Sequence, residues 1–113
     1  MSKRPLKLLL EDILEAIEKI ESYTHNLSQS NFLSNRQAAD AVVRNLEIIG
    51  EAANRLPAPF KETHTQIAWA QIVGLRHRIV HDYFNVDLEL VWQIIKNDLP
   101  NLKPEIERLR SAG

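Results

Sequence analysis

Six consecutive residues, Arg76-His77-Arg78-Ile79-Val80-His81, bring together four side chains that carry positive charge or donate protons, with no acid among them; Asp82 and Tyr83 follow at once. Three kinds of chemistry fit residues of these types at this spacing. Two histidines four apart on a helix, His77 and His81, are a common metal-ligand pair, with Asp82 or His64 as the third ligand; against this, Arg76 and Arg78 would set positive charge beside the cation. A purely structural use would pair Arg76 with an acid such as Glu51, let the histidines meet the helix C-terminal dipole and pack Tyr83 as a half-buried ring. The third is phosphate chemistry. Guanidinium forks match phosphate oxygens and stabilise the charge that grows in a transition state, while histidine moves protons at neutral pH. RNA cleavage needs little more: a base takes the 2′-OH proton, the oxygen attacks the adjacent phosphorus, and an acid protonates the departing 5′-oxygen.

If one straight helix carried the whole stretch, successive residues would turn by about 100° and Arg76 and His81 would lie about 140° apart. Such a helix does not aim both at one atom. Nor does a single histidine easily serve both sides of an in-line displacement. A two-fold dimer that brings together two copies of Arg76 and His81 would meet both needs.

The elements that must hold this stretch are legible from apolar spacing. Leu6, Leu9, Ile13, Ala16, Ile17 and Ile20 recur at helical intervals after Pro5, which suits a first helical turn. The polar run from Thr24 to Asn31 reads as a loop. Ser34 with Gln37 forms a capping-box pattern, and Ala39, Val42, Val43, Leu46, Ile49, Ala53 and Leu56 continue a second helix up to Pro57. Gly50 inside it costs about 1 kcal/mol against alanine, which suggests that another helix passes close there. Thr63 with Gln66 repeats the capping pattern before a third helix that runs through Ile67, Trp69, Ile72, Val73 and Leu75 to Ile79 and Val80. Asp87 is positioned to cap a fourth, with Leu88, Val91, Ile95, Leu99, Leu102, Ile106 and Leu109 in register and Pro100 expected to kink or break it. There is no strand signal and no glycine-rich phosphate loop. The expectation is an all-α bundle of four to five helices. Trp69 and Trp92 fit core or interface anchors better than base-stacking platforms.

Composition narrows the class. The 113 residues suit one domain with a modest core, and 44% hydrophobic with 26% charged residues is ordinary for a folded protein. Without cysteine there is no disulfide or thiolate metal site. Leu8-Leu9-Leu10 stops at Glu11, too short for a signal or a membrane span, so a cytoplasmic protein is expected. A net charge of −1 lacks the overall basic surface of a general nucleic-acid binder, so contact with RNA must be local.

The central stretch resembles the signature of the HEPN superfamily, an arginine, four residues, a histidine, one residue and a tyrosine, filled here by Arg76, His81 and Tyr83. Around it, Asn45-Leu46-Glu47-Ile48-Ile49-Gly50-Glu51-Ala52, the pair Ala68-Trp69, Phe84-Asn85-Val86-Asp87 and Asp98-Leu99-Pro100 are similar to the HepT family over nearly the whole chain. HepT is the HEPN toxin encoded beside a minimal nucleotidyltransferase antitoxin. The position after the arginine, often asparagine in the superfamily, is His77 here.

The resemblance implies a single HEPN domain over residues 1–113, an up-and-down bundle forming a two-fold homodimer, with a metal-independent endoribonuclease cleft at the dimer interface and no cofactor. His81 would then transfer protons, and Arg76 would bind phosphate and stabilise the transition state. His77 and Arg78 are candidates for RNA backbone contact or orientation, or are solvated polar positions. Glu51 is placed to hold the Arg76 fork, or lies on a solvated face. Tyr83 would be where the partner nucleotidyltransferase attaches AMP, adding negative charge and bulk beside the site. From a different class, a non-catalytic helical module for nucleotide binding or protein interaction would keep the motif for structure alone.

Overall fold

The computed structural model describes residues 4–82 and 85–112, and they are mostly helical. Helix α1 (Leu6–Thr24) follows Pro5 and buries Leu9, Leu10, Ile13, Ile17 and Ile20 along one side. The polar run after it already contains α2 (Gln29–Ser34), started by Ser28, whose hydroxyl accepts the Asn31 N–H at 3.1 Å. Helix α3 (Arg36–Arg55) lies along α1. Its cap is Asn35, which accepts the Ala38 N–H at 3.0 Å, and not Ser34 as the capping-box pattern suggests. Ser34 ends α2 and donates its hydroxyl to the Ser30 carbonyl at 3.0 Å. At the far end of α3, Lys61 of α4 (Ala58–Thr63) donates to the Ala53 carbonyl at 3.0 Å, satisfying a helix-end acceptor.

The third expected helix is two short ones. Thr63 closes α4, so the second capping pattern starts nothing; α5 (Trp69–Val73) begins later, with the Trp69 indole N–H held by the His64 carbonyl at 2.9 Å. Gly74 then separates α5 from α6 (Leu75–Ile79) with φ −88° and ψ 12°. The reason for a glycine at position 50 lies here. A Cβ on Gly50 would sit 3.1 Å from the Ile72 carbonyl oxygen and 3.4 Å from that of Val73, so the C-terminal end of α5 rests on bare α3 backbone.

Helix does not continue through the signature. Val80 is extended, and β1 (Val80–Asp82) pairs antiparallel with β2 (Asn85–Val86), strands that the sequence does not announce. Val80 faces Val86 and Asp82 faces Asn85, so the ladder shifts register at His81, a bulge that kinks the strand. A hairpin this short is not stable alone. Val80 and Val86 pack on the core, and the Asp87 N–H donates to the Ile79 carbonyl at 2.7 Å, taking an acceptor that α6 leaves open.

Asp87 caps α7 (Leu88–Gln93) as expected, accepting the Leu90 N–H at 3.0 Å. The helix then widens into a π turn (Ile94–Asp98) and continues as α8 (Leu99–Ala112), which packs against α1. Helix therefore continues through Pro100 and does not break at it. The wide turn just before it, with the Leu99 N–H reaching back to the Ile94 carbonyl, changes the hydrogen-bond register where the proline would otherwise clash. One core joins these elements, with Ile13, Ile17, Leu46, Ile49, Ile79, Val91 and Ile106 fully buried. Both tryptophans are buried in it, and Trp92 stacks on Phe32 with ring centroids 5.3 Å apart. No helix of the described residues is long and apolar enough to cross a membrane.

Candidate functional site

The break at Gly74 and the end of helix at Ile79 decide where the signature residues go. Arg76, His77 and Arg78 ride on α6, whereas His81 stands on the hairpin bulge. The angular conflict expected of a single helix therefore does not arise, because His81 is not on it. The same break removes the shared face on which a His77–His81 metal pair depends. Among the described residues no three histidine, cysteine or acidic side chains come together as a metal site.

Three of the four signature side chains meet an acid from elsewhere in the fold. Arg76 pairs with Glu47 of α3 through Nη1 and Oε2, with 63% of its side chain still exposed. This corrects the expected partner: Glu51 instead binds Arg55 on its own helix at 3.0 Å. Glu47 and Glu51 share a face one turn apart, and the displacement introduced at Gly74 sets α6 beside the first of them. Arg78 lies 3.6 Å from Asp98, the last residue of the π turn. His81 Nε2 lies 3.5 Å from Asp87 Oδ2, and 55% of the His81 side chain is exposed. His77 is exposed and carries no such ion pair among those described.

Arg76 and His77 line an open groove of about 380 Å³ between α3 and the α5–α6 junction, together with Glu47, Glu51, Asn54 and Gly74. Glu51 thus stays at the site without holding the arginine. On the other side of Glu47 a second groove of about 250 Å³ runs between α3 and the start of α7, with Arg36 and Arg44 as its cations. Asn45 is buried, with its amide donating to the Ala41 carbonyl at 2.9 Å.

The Asp87 carboxyl is held below the usual carboxylate range, first by the Leu90 N–H at the helix start and then by the His81 imidazole. It is therefore ionised at neutral pH. Sequence reasoning names Asp87 only as a cap and leaves Glu47 and Asp98 without a role. All three lie inside the flanking motifs that accompany the signature, and that is the signal by which they are recoverable. Tyr83, the expected modification site, lies outside the described residues, as does the side chain of Asp82.

Exposed arginine and histidine side chains, each facing a carboxylate, are of the chemical types that can bind phosphate and carry a proton. The Ribonuclease HepT-like family model matches residues 13–109. The chain is 44% identical to the "Probable ribonuclease HepT" of Thermococcus cleftensis over 96% of this chain and 98% of that one. It is 40% identical to the "Putative RNase MJ1380" of Methanocaldococcus jannaschii, over 95% of this chain and 98% of the relative. A similarly named RNase of Caldanaerobacter subterraneus is 34% identical over 88% and 89% of the two chains. No solved structure gives a significant match. With a family model spanning most of its length and relatives matched nearly end to end, the chain belongs to the HepT-like ribonuclease family of HEPN proteins.

Proposed function

We propose that residues 1–113 form one HEPN domain that acts as a two-fold homodimer and cleaves RNA as a metal-independent endoribonuclease. The observation that carries this reading is the pair of exposed, acid-braced side chains Arg76 and His81 in a chain of the HepT-like ribonuclease family. His81 takes the proton of a ribose 2′-OH, and that oxygen bonds to the adjacent phosphorus. As the bond from phosphorus to the 5′-oxygen breaks, the partner's His81 delivers a proton to the departing oxygen. The products are a 2′,3′-cyclic phosphate and a free 5′-OH. Arg76 turns from Glu47 to the phosphate and stabilises the added negative charge. Arg78 and His77 contact or orient the RNA backbone beside it. Because the proton carrier and the charge stabiliser are both side chains, the reaction draws on no metal and no cofactor.

The direct test is total RNA incubated with freshly purified protein in EDTA, with single-stranded DNA alongside. Discrete RNA fragments ending in 2′,3′-cyclic phosphate, with the DNA intact, are expected. No cleavage by protein that mass spectrometry shows to be unmodified would put the non-catalytic helical module in first place.

In this reading the protein is the toxin of a two-gene pair, acting in the cytoplasm and silenced when a minimal nucleotidyltransferase adenylylates Tyr83. Tyr83 stands two residues beyond His81 in the chain, so an added phosphate would compete with RNA phosphate for the same cations. Tyr83→Phe should keep full nuclease activity and escape the nucleotidyltransferase when the two are co-expressed. A Phe variant that the partner still neutralises fully would count against modification of this tyrosine as the control.

A further inference from the structure

We propose that Asp87 is a positioning residue for His81, its carboxylate bridging the start of α7 and the imidazole Nε2 so that Nδ1 is the nitrogen that exchanges protons with RNA. The contact stands on geometry alone; its catalytic consequence rests on the nuclease reading above. Asp87 is fixed from three directions. Its backbone N–H donates to the Ile79 carbonyl at 2.7 Å, tying it to the end of α6. One carboxylate oxygen, Oδ1, accepts the Leu90 N–H at 3.0 Å. The other, Oδ2, faces His81 Nε2 at 3.5 Å.

Capping does not explain a carboxylate here. Serine, threonine and asparagine cap helices about as well as aspartate, and a cap uses one oxygen. The second oxygen points at the one histidine that the hairpin bulge turns toward α7. Among the described ion pairs, Arg76 is engaged by Glu47 and Arg78 by Asp98, which leaves Asp87 as the acid that meets His81. Capping by Leu90 keeps that acid ionised at neutral pH. An imidazole whose Nε2–H points at an anion carries its lone pair on Nδ1, and the imidazolium formed on proton uptake is stabilised by the same anion. A hairpin of two and three residues is a weak support for a proton-transfer group; a carboxylate anchored to two helices compensates.

Asp87→Asn separates the two roles. Its amide oxygen still caps Leu90, while its NH2 presents a donor to Nε2 and so favours the opposite tautomer. We expect a melting temperature within about 2 °C of wild type. The kcat for RNA cleavage should fall about 10²-fold with KM within about twofold, less than for a buried triad aspartate because His81 is half exposed. The 15N spectrum of the His81 ring should move from the Nε2–H to the Nδ1–H tautomer. Asp87→Ser, which caps but is too short to reach His81, should lose kcat similarly. Wild-type kcat in Asp87→Asn, or an unchanged His81 tautomer, would overturn the assignment. If the wild-type protein cleaves no RNA, the nuclease reading falls on that result alone, while the ring spectra still decide whether Asp87 sets the His81 tautomer.

Discussion

His81→Ala is expected to lower RNA cleavage by about 10²- to 10⁴-fold, the range a positioned proton-transfer group supplies, and, in the proposed toxin, to abolish toxicity when the protein is expressed alone. The upper end is expected, because in a two-fold site one substitution removes both the base that activates the 2′-OH and the acid that protonates the 5′-oxygen. The fold tolerates the change. His81 stands on a bulge with 55% of its side chain exposed, and the core residues beside it in the hairpin, Val80 and Val86, are untouched. A surface change of this kind shifts stability by less than about 0.5 kcal/mol. Initial rates on a short single-stranded RNA, with melting curves of both proteins, separate chemistry from folding. A variant that retains a tenth or more of the wild-type rate would remove His81 from the proton-transfer role.

Arg76→Ala is expected to lower kcat by about 10²- to 10³-fold, comparable to deleting one donor from a transition-state site. Arg76→Lys is expected to recover only part of the loss, since an ammonium keeps the charge but not the planar fork. Little stability is at stake in either variant. The Arg76–Glu47 pair is well exposed, and pairs of that kind contribute about 0–1 kcal/mol. Glu47 left alone is hydrated rather than stranded. Single-turnover rates at saturating RNA give the comparison most directly. Equal rates for Arg76→Ala and wild type would show that the arginine serves only its contact with α3.

The long apolar stripes of α1, α3 and the segment from Leu88 to Leu109 are readable from sequence because each repeats every three or four residues over several turns. Ile95, Leu99, Ile106 and Leu109 all stay buried, so the stripe runs on past Pro100. The hairpin is hidden for the opposite reason. Two- and three-residue strands are too short for an alternating pattern, and Ile79 and Val80 also suit the stripe of a continuing helix. The catalytic candidates Arg76 and His81 are legible as residue types at a spacing. Their partners are not. Choosing between Glu47 and Glu51 requires knowing that the helix breaks at Gly74, and Asp87 is fully accounted for as a cap until the structure shows its second oxygen against His81.

The internal pairing of Arg76, Arg78 and His81 with Glu47, Asp98 and Asp87 has a consequence for how binding responds to ionic strength. A bare lysine or arginine that meets a phosphate releases condensed counterions from the nucleic acid and loses affinity steeply as salt rises, by about 0.7 in the logarithmic slope for each phosphate on a single strand. In the proposed nuclease each arriving phosphate would displace a carboxylate, which then gathers cations of its own. Part of the ion release would thus be cancelled at the site, and a shallower slope than the number of contacts implies is expected. In the proposed nuclease, charge alone would attract little to such a surface, so arbitrary polyanions are expected to compete poorly and selectivity to rest on the shape of the RNA.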